Sequence, residues 1–306
     1  MSTSKWFLET RPQFLILSVL LVAHGAALAY WQMQVTGTGT FRWDLVVLAM
    51  IGLVLLHASS NVLNDWHDYA RSGIDKEVRQ TPFSGGSGLI PAGVMSVRGA
   101  LVLGSGTLAA GTLIGLYLAW TAGWPLMVIG AIGVISVIAY TPILTRIGLG
   151  ELFAGLCLGT LPVVGVYFLL TGRLDTVAWV SGIPAGLLTY NLLLLNEFPD
   201  TDADIRGGRS HLVIKLGKSK ARWLYATAEA LAFVVIIISV ALGALTPWAL
   251  LALLAAIAAF KAIAGTARNY DGFEEIIPAM GANVMAVLGL NALLASGYLI
   301  AALTLR

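Results

Sequence analysis

Half of the acidic residues in this 306-residue chain, eight of sixteen, fall in two short stretches: NVLNDWHDYARSGIDKEVRQ at 61–80 and NEFPDTDADIRGGRSHLVIKLG at 196–217. Helical positions three and four apart share a face, which groups Asn61, Asp65 and Asp68 in one stretch and Asn196, Asp200 and Asp204 in the other. Carboxylates gathered this way repel unless cations intervene. Magnesium fits, because it takes oxygen ligands, uses one or two carboxylates per ion, and fills its shell with water and phosphate oxygens. Asn61, Asp65, Asp68, Asp200 and Asp204 are therefore expected to hold Mg2+, which would bridge them to a diphosphate. Arg71, Arg79, Arg146, Arg206, Arg209 and Lys215 are the cations expected to neutralise the remaining phosphate oxygens. The substrate would be an amphiphile carrying a diphosphate. Asp75, Glu77, Glu197 and Asp202 also read as solvated loop charges, and Glu151 as a favourable charge near a helix start. Lys218, Lys220 and Arg222 read as flanking cations.

The elements that carry these residues are long and apolar. The chain is 58% hydrophobic and 11% charged, with a mean hydropathy of +0.85, which excludes an ordinary water-soluble globule. Spanning a hydrocarbon core takes about 20 apolar residues as a helix, and unpaired backbone groups are too costly in lipid for anything but helices or a closed barrel. The runs predict nine helices, at about 12–34, 43–64, 97–119, 124–144, 149–171, 177–197, 221–243, 246–267 and 277–303. The first has the length of a retained span rather than a signal peptide. With the N-terminus inside, fourteen of eighteen Lys and Arg fall on the inner side, predicting a multi-pass protein of the cell (inner) membrane with its acidic stretches at the cytoplasmic face. Those cations explain the formal net charge of +2 without nucleic acid as a partner. The single Cys157 offers no disulfide framework.

Shifting the chain by 135 residues superposes Asn61 on Asn196, Asp65 on Asp200, Arg71 on Arg206 and Gly73 on Gly208. That offset spans four helices, so one domain built of two four-helix repeats, at about 10–145 and 146–270, with the ninth helix extra, is expected.

On these residues the sequence resembles the UbiA superfamily of intramembrane prenyltransferases. Asn61, Asn64, Asp65 and Asp68 match its Asn/Asp-rich motif after the second helix, and Asp200 and Asp204 its Asp-x-x-x-Asp motif after the sixth. NDWHDYARSGID and RGGRSHLVIKLG are closest in style to the branch that prenylates 1,4-dihydroxy-2-naphthoate for menaquinone. YTPILTRIGLGELFAGLCLG at 140–159 resembles the stretch that supplies a tyrosine and a basic residue, here Tyr140 and Arg146. Departures are Ser72 where several relatives carry an Asp, and NEFPD where menaquinone enzymes are richer in asparagine.

The resemblance implies Mg2+-dependent transfer of a polyprenyl group from an allylic diphosphate to an aromatic acceptor in the lipid bilayer, with Asn64 among the diphosphate contacts. Tyr140, and with less support Tyr69, would shield the allylic cation or orient the acceptor. His57 would contact diphosphate or simply be a hydrogen-bonded helix residue, and SGGSG at 84–88 would be a lid over phosphates or a plain loop. Terpene cyclisation, a hydroxybenzoate or homogentisate acceptor, and an ion-coupled transporter are the rival readings. The transporter predicts acids at mid-span.

Overall fold

The computed structural model describes residues 3–74 and 79–305. Asp75, Lys76, Glu77 and Arg306 lie outside the described residues. Among the described residues, nine helices are long and apolar enough to cross a membrane, and none of these residues forms a strand.

A short helix α1 (Thr3–Glu9) precedes the spans α2 (Pro12–Thr36), α3 (Trp43–Ser72), α4 (Val97–Ala122), α5 (Trp124–Ile147), α6 (Gly150–Thr171) and α7 (Thr176–Arg206). A five-residue helix α8 (Leu212–Leu216) leads to α9 (Lys218–Ala241), α10 (Pro247–Asn269) and α11 (Ile277–Thr304). Local signals set the ends: Ser96 Oγ accepts from the Gly99 N–H at the start of α4, and Gly37 and Gly172 turn left-handed at the ends of α2 and α6.

Two boundaries differ from expectation in a way that matters. Helices α3 and α7 do not stop before the acidic stretches but run through them, α3 by eight residues beyond 64 and α7 by nine beyond 197. Asp65, Asp68, Glu197, Asp200, Asp202 and Asp204 are therefore helix residues with fixed directions, not loop residues. Proline is tolerated within α7 at Pro184 and Pro199, as neighbouring helices re-satisfy freed backbone groups in spans.

Close approach of α6 and α7 brings the site together. The Gly155-x-x-x-Gly159 and Gly182-x-x-x-Gly186 pairs face each other, and a Cβ on Gly159 would fall 2.5 Å from Gly186 Cα. Small residues at this spacing let helix backbones pack by van der Waals contact where lipid offers no hydrophobic drive. A closed polar network ties α2, α7 and α11: His24 meets Ser181 Oγ at 2.7 Å and Asn291 Oδ1 at 2.9 Å, and Ser181 meets the Tyr298 hydroxyl at 2.7 Å. Helices α4 and α5 lie outermost, with 17% and 11% of their apolar windows buried, against 61% for α6.

Candidate active site

Both acidic stretches open into one polar cavity, lined by Asp68, Asp200, Asp204, Glu197, Arg209 and residues 84–86, among others. Three short π-helical turns interrupt the spans around it and below it: Asp68–Ser72, Tyr140–Leu144 and Leu156–Thr160. Each extra residue in a turn rotates the side chains that follow, a device concentrated at functional sites.

Arg209 joins the two halves. Its guanidinium pairs with Asp68 and, at 2.9 Å, with Asp204 Oδ1. Burial alone would depress its pKa; Asp68 and Asp204 outweigh burial and keep the group charged above its ordinary value. Asp204 Oδ2 lies 3.1 Å from His211 Nε2.

The other two acids are held by the loop at 81–93. The Ser87 N–H donates to Asp65 Oδ2 at 2.7 Å, and Ser84 Oγ donates to Asp200 Oδ1 at 3.0 Å. Gly85, Gly86 and Gly88 all have positive φ, which lets the chain fold back over the cavity where a side chain would strain it. The SGGSG segment is thus a cover over the acids.

Two residues of the N-terminal segment complete the wall. Arg11 sits in a left-handed conformation, φ 55°, immediately before Pro12, a strained position for a non-glycine residue. This turn aims its guanidinium inward: Nη1 lies 3.9 Å from Asp65 Oδ1, and Nη2 donates to the Phe83 carbonyl at 3.4 Å. Glu9 is fully buried and accepts from Ser87 Oγ at 2.9 Å. Burial first, then the neighbouring Asp65, raise its pKa to about 7, against the lowering influence of Ser87 and Arg11.

Six residues, Arg11, Asn64, Phe83, Tyr140, Leu193 and Asn196, line both this cavity and a larger, mostly apolar one. That groove continues through Leu53, Leu56, Gly133 and Cys157 into a second apolar recess between α3, α4, α5 and α6. The molecule therefore offers a charged head chamber, a neck at Tyr140 and a long greasy channel.

The residues singled out from sequence distribute unevenly. Asp68, Asp200, Asp204, Asn64, Tyr140 and Arg209 line the polar cavity. Asp65 lies behind the loop, while Asn61 lines the apolar groove and donates to the Thr10 carbonyl. The other named cations are not brought to the polar cavity. Arg79 is exposed, paired with Glu274 and stacked on Phe273; Arg71 packs over Trp66; Lys215 Nζ donates to the Ile147 carbonyl at 2.6 Å. Arg146 and Arg206 are exposed. Tyr69 packs beside Val62 and Met95 in a separate apolar cluster. His57 is buried, bonded to Ser18 Oγ at 2.9 Å, and faces the apolar groove.

Four residues carry more than the sequence reading gave them. Glu197 is buried, not solvated; Glu151, in the first turn of α6, is buried as well, and with His211 the two place ligand atoms within 4.8 Å of one another. Glu151 Oε1 accepts from the Leu212 N–H at 2.6 Å and so anchors α8. Arg11 was counted only as an inner-face cation; its place just before a proline at a span's start was the available signal. His211 lay unremarked seven residues past Asp204.

Comparison with known proteins agrees with this arrangement. The UbiA prenyltransferase family model matches residues 25–274. A 1,4-dihydroxy-2-naphthoate octaprenyltransferase of Bacillus subtilis is 28% identical over 279 residues, covering 88% of this chain and 84% of that protein. One of Escherichia coli is 31% identical over 237 residues, 73% and 72% of the two chains. Among solved structures, a UbiA homologue from Aeropyrum pernix shares the fold with a TM-score of 0.66 at 19% identity, over 90% of this chain and 96% of that one. A UbiA homologue from Archaeoglobus fulgidus, solved with GPP and Mg2+, gives 0.56 at 13% identity, over 95% and 99%. A matching family model over most of the chain, nine apolar helices and the convergence of both acidic stretches lead to one conclusion: the chain belongs to the UbiA prenyltransferase family and is a multi-pass membrane prenyltransferase.

Proposed function

We propose that this enzyme transfers a polyprenyl group from an allylic diphosphate to 1,4-dihydroxy-2-naphthoate, with Mg2+ as cofactor. The observation that carries the reading is the joining of an acid-rich chamber to a long apolar channel through a single neck at Tyr140, Asn64 and Asn196. A diphosphate fits the chamber and a polyprenyl tail the channel, where each buried CH₂ contributes about 0.8 kcal/mol. The acceptor is inferred from the bacterial relatives, which are 1,4-dihydroxy-2-naphthoate octaprenyltransferases.

The donor set suits magnesium. Asp68, Asp200 and Asp204 present hard oxygen ligands to one cavity, and Asp65 Oδ1 is buried without a hydrogen-bond partner. When bound there, the ion supplies positive charge against the leaving diphosphate. Arg11 and Arg209 add fixed cations at the chamber walls, stabilising charge where it develops as the C–O bond breaks. Tyr140 stands at the neck, where the allylic carbon would lie, and its ring stabilises the developing cation. The acceptor's ring carbon then bonds the prenyl carbon, and its carboxylate leaves as carbon dioxide, returning its electron pair to the ring. The Ser84–Ser87 cover and the apolar channel exclude water that would quench the cation.

Thirteen of the described Lys and Arg are expected at the chamber's end of the spans, which supports a cytoplasmic chamber in the inner membrane. The test is incubation of purified enzyme with Mg2+, prenyl diphosphates of graded length and a panel of naphthoate, hydroxybenzoate and homogentisate acceptors, with products identified by mass. Prenylated, decarboxylated naphthoate is expected. Turnover of another acceptor alone, or cyclised terpene without acceptor, would replace this assignment.

A further inference from the structure

We propose that His211 is a positioning residue: it fixes the Asp204 carboxylate from behind, so that this acid meets a divalent cation in one orientation. The inference rests on Asp204 being a metal ligand, as proposed above.

His211 is 1% exposed and is not part of the cavity wall. Its Nε2 lies 3.1 Å from Asp204 Oδ2. An ionised carboxylate only accepts hydrogen bonds, so Nε2 carries the proton and donates. The opposite edge of the ring is held as well, with Nδ1 accepting from the Ile214 N–H at 3.4 Å. The backbone on either side is tied to a different part of the fold: the Ser210 N–H donates to the Thr145 carbonyl at 2.9 Å, and the Leu212 N–H to Glu151. The imidazole therefore cannot follow Asp204 if that side chain turns.

Asp204 Oδ1 takes its own donor from Arg209 Nη1. Each oxygen thus has one protein donor, which fixes the carboxylate torsion, and each retains a lone pair for a cation. Asp65 and Asp200 have no such support; they are held by the 81–93 loop. Groups that orient a metal ligand from outside contribute about 10–100-fold in metal affinity or activity.

Asparagine separates this role from simple helix capping. Its Oδ1 sits about where Nδ1 sits, so His211→Asn keeps the cap on Ile214, but it is too short to reach Asp204. His211→Gln restores the reach. The experiment is Mn2+ titration of the purified enzyme followed by electron paramagnetic resonance, with kcat, KM and melting temperature measured on the same samples. H211N is expected to keep its melting temperature, to bind Mn2+ about 10–100-fold more weakly, and to lose turnover in kcat rather than in KM for the prenyl diphosphate. H211Q should recover most of both. H211S, a second capping residue without the reach, carries the same expectation as H211N and serves if that variant does not fold. Native Mn2+ affinity and native kcat in H211N or H211S would overturn the inference, as would equal impairment of H211Q. Wild-type enzyme that binds no Mn2+, or D204N that binds it as tightly as wild type, would instead remove the metal reading on which the inference stands.

Discussion

The first acidic stretch is supported by distant parts of the chain, whereas the second carries much of its own support. Asp65 depends on the Ser87 backbone, 22 residues on, and on Arg11 from the N-terminal segment. Asp204 depends on Arg209 and His211, five and seven residues downstream. Arg209 then reaches 141 residues back to Asp68 and couples the two. Asp204 is thus held by its own helix end and the segment that follows it, while the cover at 81–93 holds one acid from each stretch, Asp65 through the Ser87 N–H and Asp200 through Ser84 Oγ.

Breaking the coupling should have the largest effect. Arg209→Met leaves two buried carboxylates facing each other without their cation, and a loss of about 3–5 kcal/mol is expected in denaturation of the purified protein. Asp68→Asn in the same background should recover part of it, since neutralising one carboxylate removes their mutual repulsion and leaves the burial of Asp204; no recovery would mean that the two stretches are not coupled through this residue.

The close approach that brings the second stretch to the first comes next. Gly159→Val forces a side chain into the α7 backbone near Gly186, and about 1–3 kcal/mol of overpacking is expected as a lowered melting temperature. Gly115→Val, where a Cβ meets nothing within 4 Å, should leave stability close to wild type.

Loosening only the cover should act weakly. Ser84→Ala removes one hydrogen bond to Asp200, about 1 kcal/mol or roughly fivefold in an equilibrium constant. The change should show as faster proteolysis within residues 81–93 and leave the melting temperature nearly unchanged. Equal loss in both measurements would mean the loop is part of the rigid bundle.

The smallest effect concerns Glu9. Its carboxyl is raised from the ordinary 4.5 to about 7 in the folded protein, so between those values the folded chain holds a proton that the unfolded chain has released. Its contribution to stability is fully present below about pH 4.5, falls as pH rises, and is lost above about 7. Glu9→Gln should flatten that part of the melting temperature against pH curve. An unchanged curve would place the titration elsewhere.

Much of this arrangement is legible in the sequence. Nine apolar runs with polar ends fix the helices, since a span has no alternative way to satisfy its backbone, and eight acids in two stretches mark the site. Asp68, Asp200, Asp204 and Arg209 line one cavity, together with Asn64 and Tyr140, which the UbiA resemblance singles out. What was not legible is which cations serve the chamber. Arg71, Arg79 and Lys215 have the right charge and neighbourhood, but Trp66, Glu274 with Phe273, and the Ile147 carbonyl claim them. Arg11 replaces them through a left-handed turn that no propensity announces. Glu197 reads as solvated because charged residues at helix ends usually are, and only packing of α6 on α7 buries it.

The sequence by itself determined the solvent this protein lives in, the number of its spans and the two acid-bearing helix ends, because hydrophobic length and residue spacing are local properties. The tertiary structure alone decided that the two ends meet, that Arg209 pairs Asp68 with Asp204 while a glycine-rich loop bonds Asp65 and Asp200, and that Tyr140 lines both the chamber and the apolar groove. Those facts depend on helix-to-helix distances set by glycine contacts and buried hydrogen bonds between residues as far as 141 positions apart, which local pattern does not encode.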